Sequence, residues 1–191
     1  MRGQNTLSEL FLDEPSILKV TLLGHPVLRK RADPVTPKEL KDPRFKLFIE
    51  SMIDTMREYN GAGLAAPQVG VSRQVAVIET QENPRYPGKE AIPLTVLINP
   101  EITAFSQDVE EGWEGCLSVR DLWGKVKRAA GITLKALSVD GKEITIKAEG
   151  FQAVVFQHEI DHLYGKLFID RMEGFQTLSF TQEYRRYWQE D

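Results

Sequence analysis

The segment from Phe151 to Tyr164 constrains this chain more than any other. Phe151, Val154, Val155, His158 and His162 fall on one face of a helix, and Gly165 follows as a stop. An apolar helix face must be covered by a second layer, so this segment has to pack against other elements. Two imidazoles on a covered face need polar partners, because an unsatisfied buried polar group costs about 1–3 kcal/mol. Residues four apart lie one turn above the other, so the rings of His158 and His162 can converge on one small ion. Glu159 is rotated by about 100° from His158. It therefore flanks the pair, within reach of a water on the ion and outside its coordination shell. The bland alternative is two incidental histidines, one of them a satisfied core residue. The chain has 3 histidines, and two of them sit in this pattern, which favours the metal.

The remaining patterning is that of an α+β chain. Phe45, Phe48, Ile49, Met52, Ile53 and Met56 form one buried stripe of a helix over about 43–59. Asp42 is its N-cap, Pro43 its first residue and Asn60-Gly61 its stop. Gly61–Gln68 is too rich in Gly and Pro for a helix interior. From Gln74 to Val139 the chain reads as strands, among them Gln74–Glu79 and Leu94–Ile98 with a loop over 81–91 between them. Ile132, Leu134 and Ala136 alternate with polar residues, and Asp140-Gly141 leads into Ile144 and Ile146, the signature of a hairpin. A third helix is expected over 177–189. Helix, strands, then helix predicts mostly antiparallel strands packed around a central metal-binding helix at about 151–164. The expected organisation is an N-terminal extension (1–16), one domain (17–172) and a C-terminal helical tail (173–191).

Composition excludes several classes. With 41% hydrophobic and 27% charged residues, the chain is an ordinary globular one. It has no apolar run of the ~20 residues a membrane helix needs. The start lacks a basic stretch leading into an apolar one, so a cytoplasmic location is expected. A single cysteine excludes an internal disulfide and fits a reducing compartment. The balance of 24 basic against 28 acidic residues gives no reason to expect direct nucleic-acid readout. The cluster Lys125-Val126-Lys127-Arg128 reads as a solvated face.

A catalytic ion needs a third protein ligand and an open position. Downstream of His162, Glu173 and Glu183 are candidates. Upstream lies Glu114-Gly115-Cys116-Leu117-Ser118 with the only thiol, which on its own reads as a ligand or as a small core residue. Three segments bear on this choice: Gly61-Ala62-Gly63-Leu64-Ala65-Ala66-Pro67-Gln68, Glu114–Ser118, and Gln157-His158-Glu159-Ile160-Asp161-His162-Leu163-Tyr164-Gly165. All three resemble the signature motifs of peptide deformylase, complete and in order, and the likeness extends more weakly from about Ile17 to Met172.

The resemblance implies removal of the formyl group from the N-terminal formyl-methionine of nascent polypeptides, with release of formate. It implies one divalent metal ion on Cys116, His158 and His162. The family's usual metal is ferrous iron (Fe2+), with Zn2+, Ni2+ or Co2+ able to replace it. It gives Glu159 the acid–base role and makes Gln68 and the Leu117 backbone N–H oxyanion donors. The substrate backbone is expected at Ala62, Gly63 and Gly115, and the methionine side chain at Phe151, Val154 and Val155. His25 lies outside the three motifs and reads as structural. Arg120 stands where family members carry proline and Trp123 near a family arginine, so the rim beyond the methionine departs from the pattern. Expected partners are N-formyl-methionyl peptides and nascent chains, with a possible transient ribosome contact through the basic, aromatic tail and no membrane. Two other readings compete: a zincin-like metallopeptidase, and a non-catalytic metal-containing protein that binds peptides.

Overall fold

The computed structural model describes residues 14–81, 88 and 90–189. The expected N-terminal extension falls largely outside these residues, as does most of the loop over 81–91. The elements, in chain order, are α1 (Pro37–Leu40), α2 (Pro43–Glu58), β1 (Gly63–Ala65), β2 (Val75–Thr80), β3 (Ile92–Phe105) and β4 (Val109–Cys116). They continue with β5 (Val119–Ala129), β6 (Gly131–Leu137), β7 (Glu143–Glu149), α3 (Gly150–Leu163), β8 (Ser179–Phe180) and α4 (Thr181–Tyr187). Two antiparallel sheets result, one of five strands in the order β1-β2-β3-β6-β7 and one of three in the order β4-β5-β8. The fold is α+β.

Strand β2, second in the five-stranded sheet, explains how the layers are held. Successive side chains of a strand point to opposite faces. Ala76 and Ile78 accordingly join a core with Ala153, Val155, Phe156, Ile160 and Leu163 of α3. Val75 and Val77 join a second core with Phe45, Phe48, Ile49, Met52 and Met56 of α2. From Val75 to Ile78 this strand is buried on both sides, and so its sequence is apolar there. The α2 stripe is the expected one, except that Ile53 is only partly buried. Asp42 caps α2 by accepting from the Arg44 N–H at 3.0 Å. The helix ends with Asn60 at φ 52 and the Gly61 N–H bonded to the Met56 carbonyl at 2.8 Å, a left-handed C-terminal stop.

α3 stops in the same way. Gly165 has φ 71, the Lys166 N–H reaches the Asp161 carbonyl at 2.9 Å, and a Cβ on Gly165 would lie 2.8 Å from the Arg29 backbone. The segment before α1 runs across the site elements, with the Thr21 N–H on the Gln68 carbonyl and the Leu23 N–H on the Ser118 carbonyl. His25 is structural, as expected: its Nδ1 accepts from the Val27 N–H at the start of a short 3-10 turn. The β6–β7 hairpin turns through Ser138–Lys142 with Gly141 at φ 74.

Three expectations need correction. The strand expected over Leu94–Ile98 is the middle of the longer β3. Pro93 and Pro100 lie within it without breaking it, because the pairing with β2 is irregular between Ile78 and Thr80, opposite the start of β3, and the pairing with β6 is irregular between Ile98 and Glu101, where Asn99 takes φ 51. The tail helix is shorter than expected, because Ser179 and Phe180 pair with Trp123 and Leu122 of β5 before α4 begins. The basic cluster is not wholly a solvated face: Lys127 is exposed, whereas Val126 and Arg128 are buried.

Candidate metal centre

β4 brings Glu114 and Cys116 to the side of α3 that carries His158 and His162. Cys116 Sγ lies 3.4 Å from His162 Nε2. One donor atom from each of Cys116, His158 and His162 falls within 4.8 Å of the others, and all three residues are buried. With metal bonds of about 2.3 Å to sulfur and 2.0–2.1 Å to nitrogen, a tetrahedral angle separates the two donors by about 3.5 Å. The observed sulfur–nitrogen spacing therefore fits a single small cation. A thiol and two imidazoles are also the donor types that transition metals favour.

His158 is held by a carboxylate. Its Nδ1 lies 2.7 Å from Glu114 Oε2, which leaves Nε2 for the cluster. Such a contact fixes the ring's orientation and tautomer and raises its basicity as a ligand. Glu114 is itself anchored by a two-pronged contact from Arg128, Nε to Oε1 at 2.8 Å and a terminal nitrogen to Oε2 at 3.0 Å. Arg128 also donates to Asp161 at 2.5 Å, and Asp161 accepts from Arg171 at 2.5 and 3.0 Å. Gln157 closes the same seam: its amide donates to the Ala129 carbonyl and accepts from the Ala129 N–H. Burial opposes charge on Glu114, yet the hydrogen bonds from His158 and Arg128 hold its pKa down to about 2.

The two imidazoles differ. Burial works against charge on His158, but hydrogen bonds to Cys116 and Glu114 raise its pKa well above the ordinary value. Burial and the neighbouring His158 cation push His162 well below it. The Nδ1 of His162 and Oε2 of Glu159 are buried with no hydrogen-bond partner among the described residues. Burial, followed by smaller opposing effects of His158 and Glu114, lifts the Glu159 carboxyl to about 7.

Most of the expected site residues line one pocket. Ala62, Gly63 and Gln68 form one side of it, and Gly115, Cys116 and Leu117 another. Phe151, Val154, Val155, His158 and Glu159 supply the α3 side, while the fully buried His162 lies behind it. Gln68 is fixed at both ends: its Oε1 accepts from the Ala65 N–H at 2.7 Å and its Nε2 faces Cys116 Sγ at 3.5 Å. It therefore braces a turn and also presents a donor to the pocket.

The two glycines make room for side chains. A Cβ on Gly63 would lie 2.6 Å from Cγ and Oε1 of Glu159, and one on Gly115 would lie 2.9 Å from the Trp123 ring. Glu173 is exposed and paired with Lys127 at 2.8 Å, and Glu183 is also exposed. Neither joins the donor cluster. Trp113, which lines the pocket, and the charges of Arg128 and Asp161 were not anticipated from the sequence.

Comparison with known proteins agrees with this geometry. A family profile described as polypeptide deformylase matches residues 17–177. The chain is 48% identical to the peptide deformylase of Halothermothrix orenii over 157 residues, 82% of this chain and 94% of the relative. It is 44% identical to peptide deformylase 1 of Prochlorococcus marinus over 169 residues, 88% and 87% of the two chains. Among solved structures, the Met-Ala-Ser-bound class I type b peptide deformylase of Acinetobacter baumannii superposes with a TM-score of 0.79 at 40% identity. That match covers 82% of this chain and 98% of the other.

Proposed function

The chain belongs to the peptide deformylase family, and we propose that Cys116, His158 and His162 hold its catalytic metal ion while Glu159 moves the proton. The reaction is hydrolysis of the formyl group from an N-terminal formyl-methionine, releasing formate. The zincin-like and non-catalytic readings have no support among these relatives. The observation that carries the assignment of roles is the convergence of one thiol and two imidazoles in a buried pocket with Glu159 beside them.

When bound, the ion supplies Lewis acidity, lowering the pKa of a coordinated water towards about 7 and polarising a carbonyl oxygen. Glu159, with a carboxyl pushed up to about 7, is suited both to accept and to return a proton near neutrality. It takes one from the attacking water as the new C–O bond forms at the formyl carbon. It delivers that proton to the amide nitrogen as the C–N bond breaks, so that formate and a free methionine amine leave. Gln68 Nε2 and the Leu117 N–H donate to the developing oxyanion, and loss of one such donor typically costs 10²–10³ in rate. Ala62, Gly63 and Gly115 leave space for an extended substrate backbone. Phe151, Val154 and Val155 receive the methionine side chain.

Ferrous iron is our choice of native ion, and metal analysis after strictly anaerobic purification would decide between it and zinc, nickel or cobalt. A cytoplasmic location, with formyl-methionyl nascent chains as substrates, belongs to the same reading. A transient ribosome contact is left to the outward residues of α4, such as Arg186, and co-sedimentation with ribosomes tests it. For the central assignment the test is Glu159→Ala. This variant should retain its metal and lose formate release from a formyl-Met-Ala-Ser peptide. Near-normal turnover by the metal-loaded variant would overturn the role given to Glu159.

A further inference from the structure

The carboxy-terminal segment is built into the wall of the cleft. β8 pairs with β5 at Trp123↔Ser179, and Thr177 Oγ1 accepts from the Lys125 N–H at 3.1 Å. From α4, Tyr184 stacks on Trp123 with ring centres 4.5 Å apart and planes 9° from parallel, and meets Trp113 at 5.0 Å. Trp188 adds a further contact to Trp113 at 5.8 Å. Trp113 lines the catalytic pocket, and Trp123 lies against Gly115. The tail aromatics therefore hold α4 close to Cys116.

A second recess opens at that place. It shares Cys116 and Leu117 with the catalytic pocket and is lined further by Tyr59, Arg120, Asp121 and Arg185. Two arginines and one aspartate line it, and none of the three takes part in an ion pair among the described residues. Arg120 lies over the Tyr59 ring at 6.0 Å, which gives its side chain a platform without neutralising it. A strand-like peptide advances by ~3.3 Å per residue, so a chain leaving the catalytic pocket past Leu117 reaches the recess within its next residues.

We propose that this recess receives an acidic side chain of the substrate, one or two residues beyond the methionine, and that Arg185 and Arg120 recognise it. The proposal rests on the deformylase reading of the adjoining pocket and extends it to a preference among substrates. A short peptide's own terminal carboxylate would offer the same chemistry, so the test uses peptides amidated at the C-terminus. kcat/KM is measured for formyl-Met-X-Ser-amide and formyl-Met-Ala-X-amide with X as Glu, Gln or Lys.

At about 0.05 M salt, Glu should exceed Gln roughly two- to fivefold in one of the two series, as expected for a partly exposed charge contact, with Lys below Gln. The advantage should shrink as salt screens it. Arg185→Ala and Arg120→Ala should each lower the Glu/Gln ratio, and Arg185→Glu should invert the Glu/Lys ratio. Arg186→Ala removes the same charge next door and should keep the wild-type ratio. Equal rates for Glu, Gln and Lys in both series, or an unaltered Glu/Lys ratio in Arg185→Glu, would overturn the proposal. Failure to turn over any of the peptides would instead remove the deformylase reading on which it rests.

Discussion

Gly63→Ala tests how closely Glu159 is positioned, read in kcat apart from the substrate contact that Gly63 also offers. β1 holds Gly63 against Ile78 of β2, and α3 is fixed by the core behind it. The added methyl would sit 2.6 Å from Cγ and Oε1 of Glu159 and 2.7 Å from Cδ, whereas ordinary contacts begin at 3.4 Å. Something must give by at least 0.8 Å, the difference between 3.4 and 2.6 Å. Two packed backbones resist that displacement more than a side chain does, so the carboxyl group moves. A misplacement of about 1 Å in a catalytic constellation can cost about 10²-fold in rate. The expected result is a kcat for formyl-Met-Ala-Ser hydrolysis lower by roughly two orders of magnitude, with one metal per chain retained. Thermal unfolding should change little by comparison, because the clash is relieved inside the pocket. A variant that keeps wild-type kcat would refute the reasoning, since Glu159 would then tolerate displacement or have no part in the proton transfer.

Three further substitutions probe the surroundings of the ligands. Arg128→Leu leaves Glu114 and Asp161 buried without their shared cation, and urea unfolding should show a loss of about 3–5 kcal/mol. A variant as stable as wild type would mean that the two carboxylates find other partners. Glu114→Gln weakens the hold on His158 Nδ1, and competition with a chelator should reveal metal affinity reduced about 10- to 100-fold; unchanged affinity would assign Glu114 to stability alone. Cys116→Ser should strip most of the metal, whereas full occupancy would point to a third ligand elsewhere.

The parts of the fold that were legible in the sequence are those written at short range. α2 and α3 follow from apolar spacing, and each ends at the residue pair whose left-handed stop the composition suggested, Asn60-Gly61 and Tyr164-Gly165. The hairpin at Asp140-Gly141 was equally local. β3 was only partly legible, because Pro93 and Pro100 disguise a strand that tolerates them where its pairings with β2 and with β6 are each irregular. The tail misled for a different reason: nothing in Ser179-Phe180 announces that β5, over fifty residues earlier, will take them as a strand. The convergence of His158 and His162 was implicit in one helix turn. The choice of Cys116 as third ligand rested on resemblance alone, since the approach of β4 to α3 is a long-range fact.

Arg128 shows where local reading stops and what would have carried it further. In the run Lys125-Val126-Lys127-Arg128, charge content suggests a wet surface, but a strand sends alternate residues to opposite faces. Val126 and Arg128 therefore share a face, and the apolar member of the pair marks that face as inward. Period-two alternation would thus have placed a guanidinium in the interior. A buried cation must be paired, which in turn requires acidic partners inside the fold. Glu114, two residues before the thiol, and Asp161, one before the second histidine, are the acids already tied to ligand-bearing segments. Pairing Arg128 with both joins β4, β5 and α3 at the point where the donors meet. On this reasoning the arrangement that holds His158 in orientation is also the one that binds the three-stranded sheet to the helix, so the same buried charges should set both stability and the affinity for the proposed metal.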